Sequence, residues 1–203
     1  MKQLTGPDLS GLKVLELGCA SGVFSKEMTS MGARVTGVDL SEKLLSIARS
    51  ENPDSRFILA DASSLPLKRS AFDLVAASLL MHYFKDLRPF FSEAARVLKK
   101  NGAFVFSFHH PVHEIMELKN GKKFVPGNYF DHREYSWKML GRTIPSFHHT
   151  FEEITTGLND CGFVLEKLLE PQPDQLGEKI NPKAFEMTSE FPVFAAIRAR
   201  LSG

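Results

Sequence analysis

The sequence predicts an α/β fold, in which a doubly wound, mostly parallel sheet carries helices on both faces. Short apolar runs alternate with helical patterns over the first hundred residues, an order typical of β-strand–helix–β-strand units. The length of 203 residues fits one domain, and 43% hydrophobic and 24% charged residues are ordinary for a globular chain. Right-handed crossovers then place a ligand crevice at the carboxyl ends of the strands, near the first strand.

Five apolar runs in the first half of the chain indicate buried strands. They cover 12–17, 34–38, 57–60, 72–77 and 103–108. Helical patterns separate them, and the clearest amphipathic face consists of Leu87, Phe90, Phe91, Ala94, Val97 and Leu98. We expect Ser41 to cap the helix before the third strand, and Asn101-Gly102 to end the helix before the fifth.

Residues 109–149 break this alternation and show no sustained period. They hold six of the seven histidines together with several aromatic residues, a mixture suited to a small-ligand pocket. We expect a substrate-covering insertion here, with an ordinary packed subdomain or a dimer contact as the alternative. A capping box at Thr150 and Glu153 then begins a helix.

The last part of the chain predicts two further strands, at 163–169 and 191–198. Pro171, Pro173 and Pro182 indicate a long irregular link between them. Because no helix of convincing period separates these strands, we expect them to pair antiparallel.

Composition disfavours several classes of partner. Lys and Arg total 25 and Asp and Glu total 24, so the net charge of +1 gives no global field that favours nucleic acid or an anionic membrane. The longest nearly apolar run, 74–81, is too short to span a membrane, and the N-terminus lacks an apolar signal region. Cys19 and Cys161 are too few for a disulfide framework. We therefore expect a cytoplasmic protein, either a monomer or a homodimer.

A glycine-bearing turn, Gly18-x-x-x-Gly22, follows the first strand and lets a ligand approach the backbone. Its spacing is not that of the dinucleotide fingerprint. Asp39 ends the second strand, 17 residues after Gly22, where a carboxylate can accept hydrogen bonds from both hydroxyls of a ribose. The alternatives are that the glycines serve only a tight turn and that Asp39 is an N-cap.

These features occur in the order and spacing of a known family. The sequence resembles the class I S-adenosylmethionine-dependent methyltransferases of the type 11 domain group over about residues 12–110, half of the chain. The resemblance rests on Glu16 to Gly22, Gly37 to Ser41, Asp61-Ala62, Phe72 to Val75 and Arg96 to Ala103. More weakly, His109-His110-Pro111, His148 to Thr150 and Glu170 to Pro173 resemble small-molecule methyltransferases of this group. The resemblance implies a single methyltransferase domain over 1–203 with the strand order 3-2-1-4-5-7-6, the last strand antiparallel.

The resemblance also implies which residues bind S-adenosylmethionine and its product S-adenosylhomocysteine. The methionine end would contact Glu16, Gly18, Cys19, Ala20, Gly22, Ser78 and Leu79. The adenosine end would contact Asp39 through the ribose, Leu40 and Ala62 through the adenine ring, and Asp61 through the adenine amino group. Ala20 stands where the family commonly has glycine.

A hydroxyl or protonated amine acceptor needs a base, and the histidines after the central strands are the candidates. We expect His110, with His82 in reserve, and the alternative for each is a structural histidine. Contacts to the acceptor are expected from His109, Tyr129, Trp137 and His149. We expect no metal site, because Pro111 argues against a regular helix through the His109-His110-x-x-His113 spacing.

The function that the resemblance implies is methyl transfer from S-adenosylmethionine to an oxygen, nitrogen or carbon of a small organic acceptor. Three alternatives stay open: the same reaction on RNA or protein, a nicotinamide oxidoreductase, and a non-catalytic cofactor-binding or scaffold protein. The glycine spacing disfavours the oxidoreductase.

Overall fold

The computed structural model describes residues 1–119, 123–132, 134–139 and 142–203. The helices are α1 (Lys2–Thr5), α2 (Val23–Ser30), α3 (Glu42–Glu51), α4 (Leu87–Val97), α5 (Pro111–Glu114), α6 (Phe151–Asp160), α7 (Gln175–Ile180) and α8 (Pro182–Glu190). The strands are β1 (Lys13–Leu17), β2 (Arg34–Asp39), β3 (Arg56–Leu59), β4 (Phe72–Ser78), β5 (Leu98–His109), β6 (Met116–Lys119), β7 (Lys123–Pro126), β8 (Glu134–Met139), β9 (Arg142–Phe147), β10 (Phe163–Leu169) and β11 (Phe194–Leu201). A 3-10 helix covers Met81–Tyr83.

The main sheet has seven strands in the order β3-β2-β1-β4-β5-β11-β10. The first five are parallel, whereas β11 pairs antiparallel with both β5 and β10. This is the predicted order, 3-2-1-4-5-7-6, so the expectation for the fold and for the late antiparallel pair is confirmed. Because β1 leads to β2 on one side and lies beside β4 on the other, the switch point is at its carboxyl end.

Helices cover both faces of the sheet, and alternate residues of each strand pack against opposite layers. In β4, Val75 and Ala77 join the cluster under α4 and α6, while Leu74 and Ala76 join the cluster under α1 and α2. The first cluster is built from stacked and edge-on phenylalanines of α4 and β5, namely Phe90, Phe91, Phe104, Phe106 and Phe108. Each buried side chain of this size contributes about 1.5–3 kcal/mol, so this layer fixes the central strands.

The structure differs from the sequence prediction in three places. α4 ends at Val97 and β5 begins at Leu98, because Leu98 pairs with Phe72, so Asn101-Gly102 lies within β5 and does not end the helix as expected. The last strand begins at Phe194, three residues after its predicted start. The link before it is not irregular, since it holds α7 and α8, and Pro182 is the first residue of α8, where proline is tolerated.

The segment 109–149, which lacks a sequence period, folds as α5 followed by two antiparallel hairpins, β6–β7 and β8–β9. Neither hairpin joins the main sheet. The predicted capping box follows: the Thr150 hydroxyl accepts from the Glu153 backbone N–H, and the Glu153 carboxylate accepts from the Thr150 N–H. This box fixes the start of α6 directly after the second hairpin.

Candidate cofactor site

A cavity of about 620 Å³ opens at the carboxyl ends of the central strands. Its wall consists of Gly18, Ala20, Val38, Asp39, Leu40, Leu44, Ala60, Asp61, Ala62, Ser63, Ser78, Leu79, Leu80, Tyr83, Phe84, Ile144 and Pro145. Eight of the eleven residues expected at the cofactor are in this set, and Glu16, Cys19 and Gly22 are not. The cavity therefore lies where the switch point of the sheet predicts it.

The turn after β1 presents backbone to the cavity. Gly18 has a left-handed φ of +67°, and a Cβ there would lie 2.7 Å from Cδ1 of Leu80. Ala20 also adopts a left-handed conformation, with φ of 47°. The methyl group at position 20 is thus accommodated in the turn, and the absent side chain at position 18 leaves room beside Leu80.

Asp39 ties this turn to the end of β2. One carboxylate oxygen accepts from the Ala20 N–H at 2.9 Å and the other from the Ser41 N–H at 2.8 Å. Asp39 is not the N-cap of α3, because the Ser41 hydroxyl accepts from the Leu44 N–H and is the cap. An ionised carboxylate has about four acceptor positions, so Asp39 can still receive hydroxyl groups from the cavity.

A second carboxylate, Asp61, lines the cavity after β3. One of its oxygens accepts from the Ser63 N–H at 2.8 Å and from the Ser63 hydroxyl at 2.7 Å. Apolar side chains also line the cavity, among them Leu40, which is 71% exposed, and Ala62, which is buried. Leu79, in a left-handed conformation with φ of 51°, turns the chain at the end of β4.

The three expected cofactor residues outside the wall pack behind it. Burial raises the pKa of the Glu16 carboxyl to about 7, and the Asp39 charge adds to the rise, while a hydrogen bond from the Ser25 hydroxyl opposes it. The Cys19 side chain packs with Leu45, Ala48 and Phe57, and burial raises the pKa of its thiol.

Gly22, the N-cap of α2, allows the close approach of α3. A Cβ at this position would lie 2.7 Å from Nδ2 of Asn52 and 3.1 Å from the Cβ of Ala48. Asn52 Nδ2 also donates to the Gly22 carbonyl at 3.3 Å. Gly22 is therefore required for helix packing behind the turn.

His82 is buried in the 3-10 helix between two residues of the cavity wall, Leu80 and Tyr83. Its ring stacks on that of His109 at 4.5 Å, and its Nδ1 has no hydrogen-bond partner among the described residues. Burial lowers the pKa of His82 to about 3, and the neighbouring His109 and His149 add to the effect. The ring is therefore neutral over the physiological range.

His110 is also buried, but both of its ring nitrogens have partners within the chain. Nδ1 accepts from the Val112 N–H at 3.1 Å and so caps α5, and Nε2 lies 2.8 Å from the Glu170 carboxylate. An acceptor at Nδ1 and a carboxylate at Nε2 require the tautomer with the proton on Nε2. To act as a base, His110 would have to lose one of these two contacts.

The four residues expected at the acceptor, His109, Tyr129, Trp137 and His149, are not among the described residues of the cavity wall. His109 stacks on His82. The His149 Nε2 donates to the Phe84 carbonyl at 2.7 Å, which ties the start of α6 to the cavity wall. The Tyr129 hydroxyl accepts from the Phe151 N–H at 3.0 Å. Trp137 pairs through its backbone with Ile144, and its side chain lies outside the part of the chain that the structure describes.

Nine wall residues are not among those expected from the sequence. Val38, Leu44, Ala60 and Ser63 lie beside expected residues, whereas Leu80, Tyr83, Phe84, Ile144 and Pro145 come from two other segments. Leu80, Tyr83 and Phe84 follow β4 in or beside a short 3-10 helix, and Ile144 and Pro145 lie on β9. Their only sequence signal is the apolar and aromatic character of two segments that flank the predicted site. The β8–β9 hairpin therefore forms part of the wall of the cavity that holds Asp39 and Asp61.

The wall fits S-adenosylmethionine in size and chemistry. Two carboxylates can accept from the ribose hydroxyls and the adenine amino group, and leucines can pack on the flat ring. The glycine at position 18 leaves the space that a side chain would take. A doubly wound sheet with such a pocket at its switch point defines an α/β protein that binds a nucleoside cofactor.

Comparison with known proteins identifies the family. The sequence profile of the family described as "Methyltransferase domain" matches residues 15–106. The solved structure of an S-adenosylmethionine-dependent methyltransferase from Mesorhizobium loti is 30% identical, with a TM-score of 0.84 and coverage of 98% of this chain and 94% of the other. The chain belongs to the S-adenosylmethionine-dependent methyltransferases, and the cofactor of that family is S-adenosylmethionine.

Two relatives with named activities are matched over a smaller share of their own length than the Mesorhizobium loti protein. A demethylmenaquinone methyltransferase from Thermotoga maritima is 29% identical over 91% of this chain and 74% of the relative. A malonyl-[acyl-carrier protein] O-methyltransferase from Serratia marcescens is 32% identical over 50% of this chain, and the match spans 40% of the relative. Across the ranges that the structure describes, no helix combines the length and the apolar character needed to cross a membrane.

Proposed function

We propose that this protein transfers the methyl group of S-adenosylmethionine to an oxygen, nitrogen or carbon nucleophile of a small organic acceptor. The observation that carries the proposal is the cavity of about 620 Å³, in which the β1 turn, Asp39 and Asp61 converge. The β8–β9 hairpin narrows this cavity, which favours a small acceptor over a macromolecular one. A cytoplasmic location, inferred from the two cysteines, is part of the proposal.

The name of one relative supports this acceptor class, since it is a demethylmenaquinone methyltransferase. The other is named for a malonyl group carried on an acyl-carrier protein, so its acceptor group is small but bound to a protein. We therefore propose only that the acceptor is small, and its identity has to be found by experiment.

The protein's own residues would bind and orient the reactants. When bound, S-adenosylmethionine supplies an electrophilic methyl group on a sulfonium. Asp39 and Asp61 would hold the adenosine end, while the backbone at Gly18 and the side chains of Leu79 and Leu80 would enclose the methionine end and exclude water. Alignment of a nucleophile with the methyl group can lower the barrier by about 7–11 kcal/mol, so little other chemistry is required of the protein.

Of the two candidate bases, the surroundings of His82 favour it over His110. Within the described part of the chain, Nδ1 of its neutral ring has no hydrogen-bond partner. His82 is not itself in the cavity wall, but the adjacent Leu80 and Tyr83 are. A pKa of about 3 makes the ring a weak base. We therefore propose that His82 accepts a hydrogen bond from the methyl acceptor and orients it, without becoming protonated itself. His110, which caps α5 and contacts Glu170, would position the end of β5.

A thermal-shift titration with S-adenosylhomocysteine tests the cofactor half of the proposal. At about 100 times its dissociation constant, the ligand adds about 2.7 kcal/mol to the folded state, so we expect Tm to rise by roughly 5–10 °C. Asp39→Asn should weaken binding about tenfold, because a neutral amide loses charge-assisted hydrogen bonds to hydroxyls. The amide keeps the shape and one acceptor oxygen for the turn, which an alanine would not.

Asp54→Asn is the matched control, since Asp54 is exposed and is not in the cavity wall. It should bind S-adenosylhomocysteine as the wild type does. A wild-type Tm that does not move with S-adenosylhomocysteine, or that moves equally with NADH, would contradict the proposal.

A further inference from the structure

The β8–β9 hairpin covers the cavity and needs something to hold it there. Ile144 and Pro145 of β9 line the cavity, and β9 contacts the 3-10 helix that contains His82. Among the residues that the structure describes, the two strands of the hairpin pair with each other and not with the main sheet. Its position over the cavity therefore depends on side-chain contacts to the rest of the molecule.

A buried carboxylate, Glu114 of α5, contacts both chain segments at the open end of this hairpin, where Tyr135 pairs with Ser146. One oxygen accepts from the Tyr135 hydroxyl of β8 at 2.6 Å, and the other lies 2.9 Å from Nδ1 of His148, the residue after β9. The side chains of Glu114 and His148 are only 3% and 1% exposed. The opposite nitrogen of His148, Nε2, donates to the Tyr129 carbonyl at 2.9 Å.

The hydrogen bonds fix one proton of this cluster. A backbone carbonyl can only accept, so His148 carries a proton on Nε2. Burial lowers the pKa of His148, but the hydrogen bonds to Glu114 and to the Tyr129 carbonyl, with the nearby carboxylate charges, outweigh it and raise the pKa. In the charged form of the pair, Nδ1 of His148 donates to the second Glu114 oxygen, and each polar group of the two side chains has a partner.

We propose that Glu114 is a positioning residue for methyl transfer, which holds the β8–β9 hairpin against the cofactor cavity and so retains the bound cofactor. The inference rests on the proposed function. Glu114 lies outside the cavity wall and acts through Ile144 and Pro145. Its loss would loosen that wall while the β1 turn, Asp39 and Asp61 stay in place.

The test is Glu114→Gln, with the equilibrium affinity and dissociation rate of S-adenosylhomocysteine as readouts. Glutamine keeps the shape but removes the charge that holds His148, so we expect the dissociation constant to rise about tenfold, mainly through faster dissociation. Tyr135→Phe, which removes one hydrogen bond, should have a smaller effect in the same direction. Glu178→Gln makes the same chemical change on the exposed α7 and should leave both readouts unchanged.

A double-mutant cycle separates positioning from general destabilisation. Ile144→Ala removes the wall through which Glu114 acts, so Glu114→Gln should have little further effect on the dissociation constant in that background. All variants are measured at a temperature at which each is fully folded by circular dichroism. Additive effects of the two substitutions, or an unchanged dissociation rate in a folded Glu114→Gln, would overturn the inference.

Failure of this inference is distinguishable from failure of the proposed function. If the wild type does not bind S-adenosylhomocysteine, the proposed function fails, and this inference fails with it. If the wild type binds and Glu114→Gln binds and releases the ligand at the same rate, only the positioning role is wrong.

Discussion

Gly18 illustrates how a single missing side chain shapes the site. Its φ of +67° and its proximity to Leu80 make it the position where the backbone can line the cavity. Asp39 also shapes the turn, because its carboxylate accepts a hydrogen bond from the Ala20 N–H and so fixes the conformation of the same turn. Turn geometry and cofactor recognition are thus coupled through one carboxylate.

Gly18→Ala should therefore weaken the binding of S-adenosylhomocysteine about tenfold. The added Cβ would meet Leu80 at 2.7 Å and push its side chain into the cavity, an overpacking that typically costs about 1–3 kcal/mol. The measurement is the dissociation constant by titration calorimetry.

Gly162→Ala is the matched control for this prediction. It places alanine in the same left-handed region, with φ of +83°, but its Cβ meets only Leu201 at an ordinary 3.7 Å. Both variants lose some unfolding free energy through backbone strain, about 1–2 kcal/mol. Equal ligand affinity in Gly18→Ala and Gly162→Ala would show that position 18 does not border the ligand.

The sequence anticipates residues such as Asp39 and Asp61 because each ends a recognisable apolar run and lies at the edge where a parallel sheet binds ligands. It does not anticipate that Asp39 also holds Ala20, since this depends on the distance between two loops. Similarly, nothing in the spacing of His110 reveals that Glu170, sixty residues away, takes up its Nε2.

At the scale of elements, α4 can be predicted from the sequence, whereas the later helix α7 cannot. α4 buries five residues on one face, so its period is plain in the sequence. α7 has no buried residue among those described, and its apolar Leu176 and Ile180 are exposed. A helix that packs little has no apolar stripe to detect, so the sequence indicates only an irregular link where α7 lies.

The β8–β9 hairpin was missed for a related reason. Each of its strands pairs with the other alone and lies outside the main sheet, so neither carries the continuous apolar run of a doubly covered strand. Its position is determined by the buried cluster of Glu114, His148 and Tyr135, contacts between residues that are distant in sequence. Side-chain chemistry therefore anchors this element.

The buried pair makes stability depend on pH. Burial lowers the pKa of His148, but the hydrogen bonds to Glu114 and the Tyr129 carbonyl and the charges of Glu114 and Glu153 outweigh it, so the net pKa is raised above 6.5. His149, also buried beside this cluster, has a lowered pKa. The stability from His148 is present below pH 6.5 and is lost as the pH rises through the raised pKa.

We therefore expect the difference in unfolding free energy between wild type and Glu114→Gln to shrink as the pH rises above 6.5. Chemical denaturation of both proteins from pH 5.5 to 9 measures it. The difference is the informative quantity, because Glu16 and His82, whose pKa shifts do not involve Glu114, titrate alike in both proteins and largely cancel. The Glu114 charge also favours the protonated forms of His109, His113 and His149, so its loss acts on them with the same sign as on His148. A difference that stays constant or grows with pH would argue against a charged His148.

At the scale of the whole molecule, two parts of the chain contribute differently to the cavity. The parallel strands and the β1 turn, within the matched residues 15–106, form most of the cavity. The residues after β5 add the hairpin that lines part of the cavity and the antiparallel strands that complete the sheet. The first part follows from apolar runs and short motifs, whereas the second depends on contacts between distant residues and resists prediction from sequence.

The acceptor class follows from this division. The β8–β9 hairpin adds Ile144 and Pro145 to the wall of the cofactor cavity, and the net charge of +1 gives no field to attract a polymer. We therefore expect the methyl group to be transferred to a small molecule.

Transfer of labelled methyl from S-adenosylmethionine into a fractionated cell extract tests this claim most directly. The account predicts that the wild-type protein places label in the small-molecule fraction and that Asp39→Asn places much less there at subsaturating cofactor. Label recovered in RNA or protein, or no transfer above that of Asp39→Asn in any fraction, would contradict it.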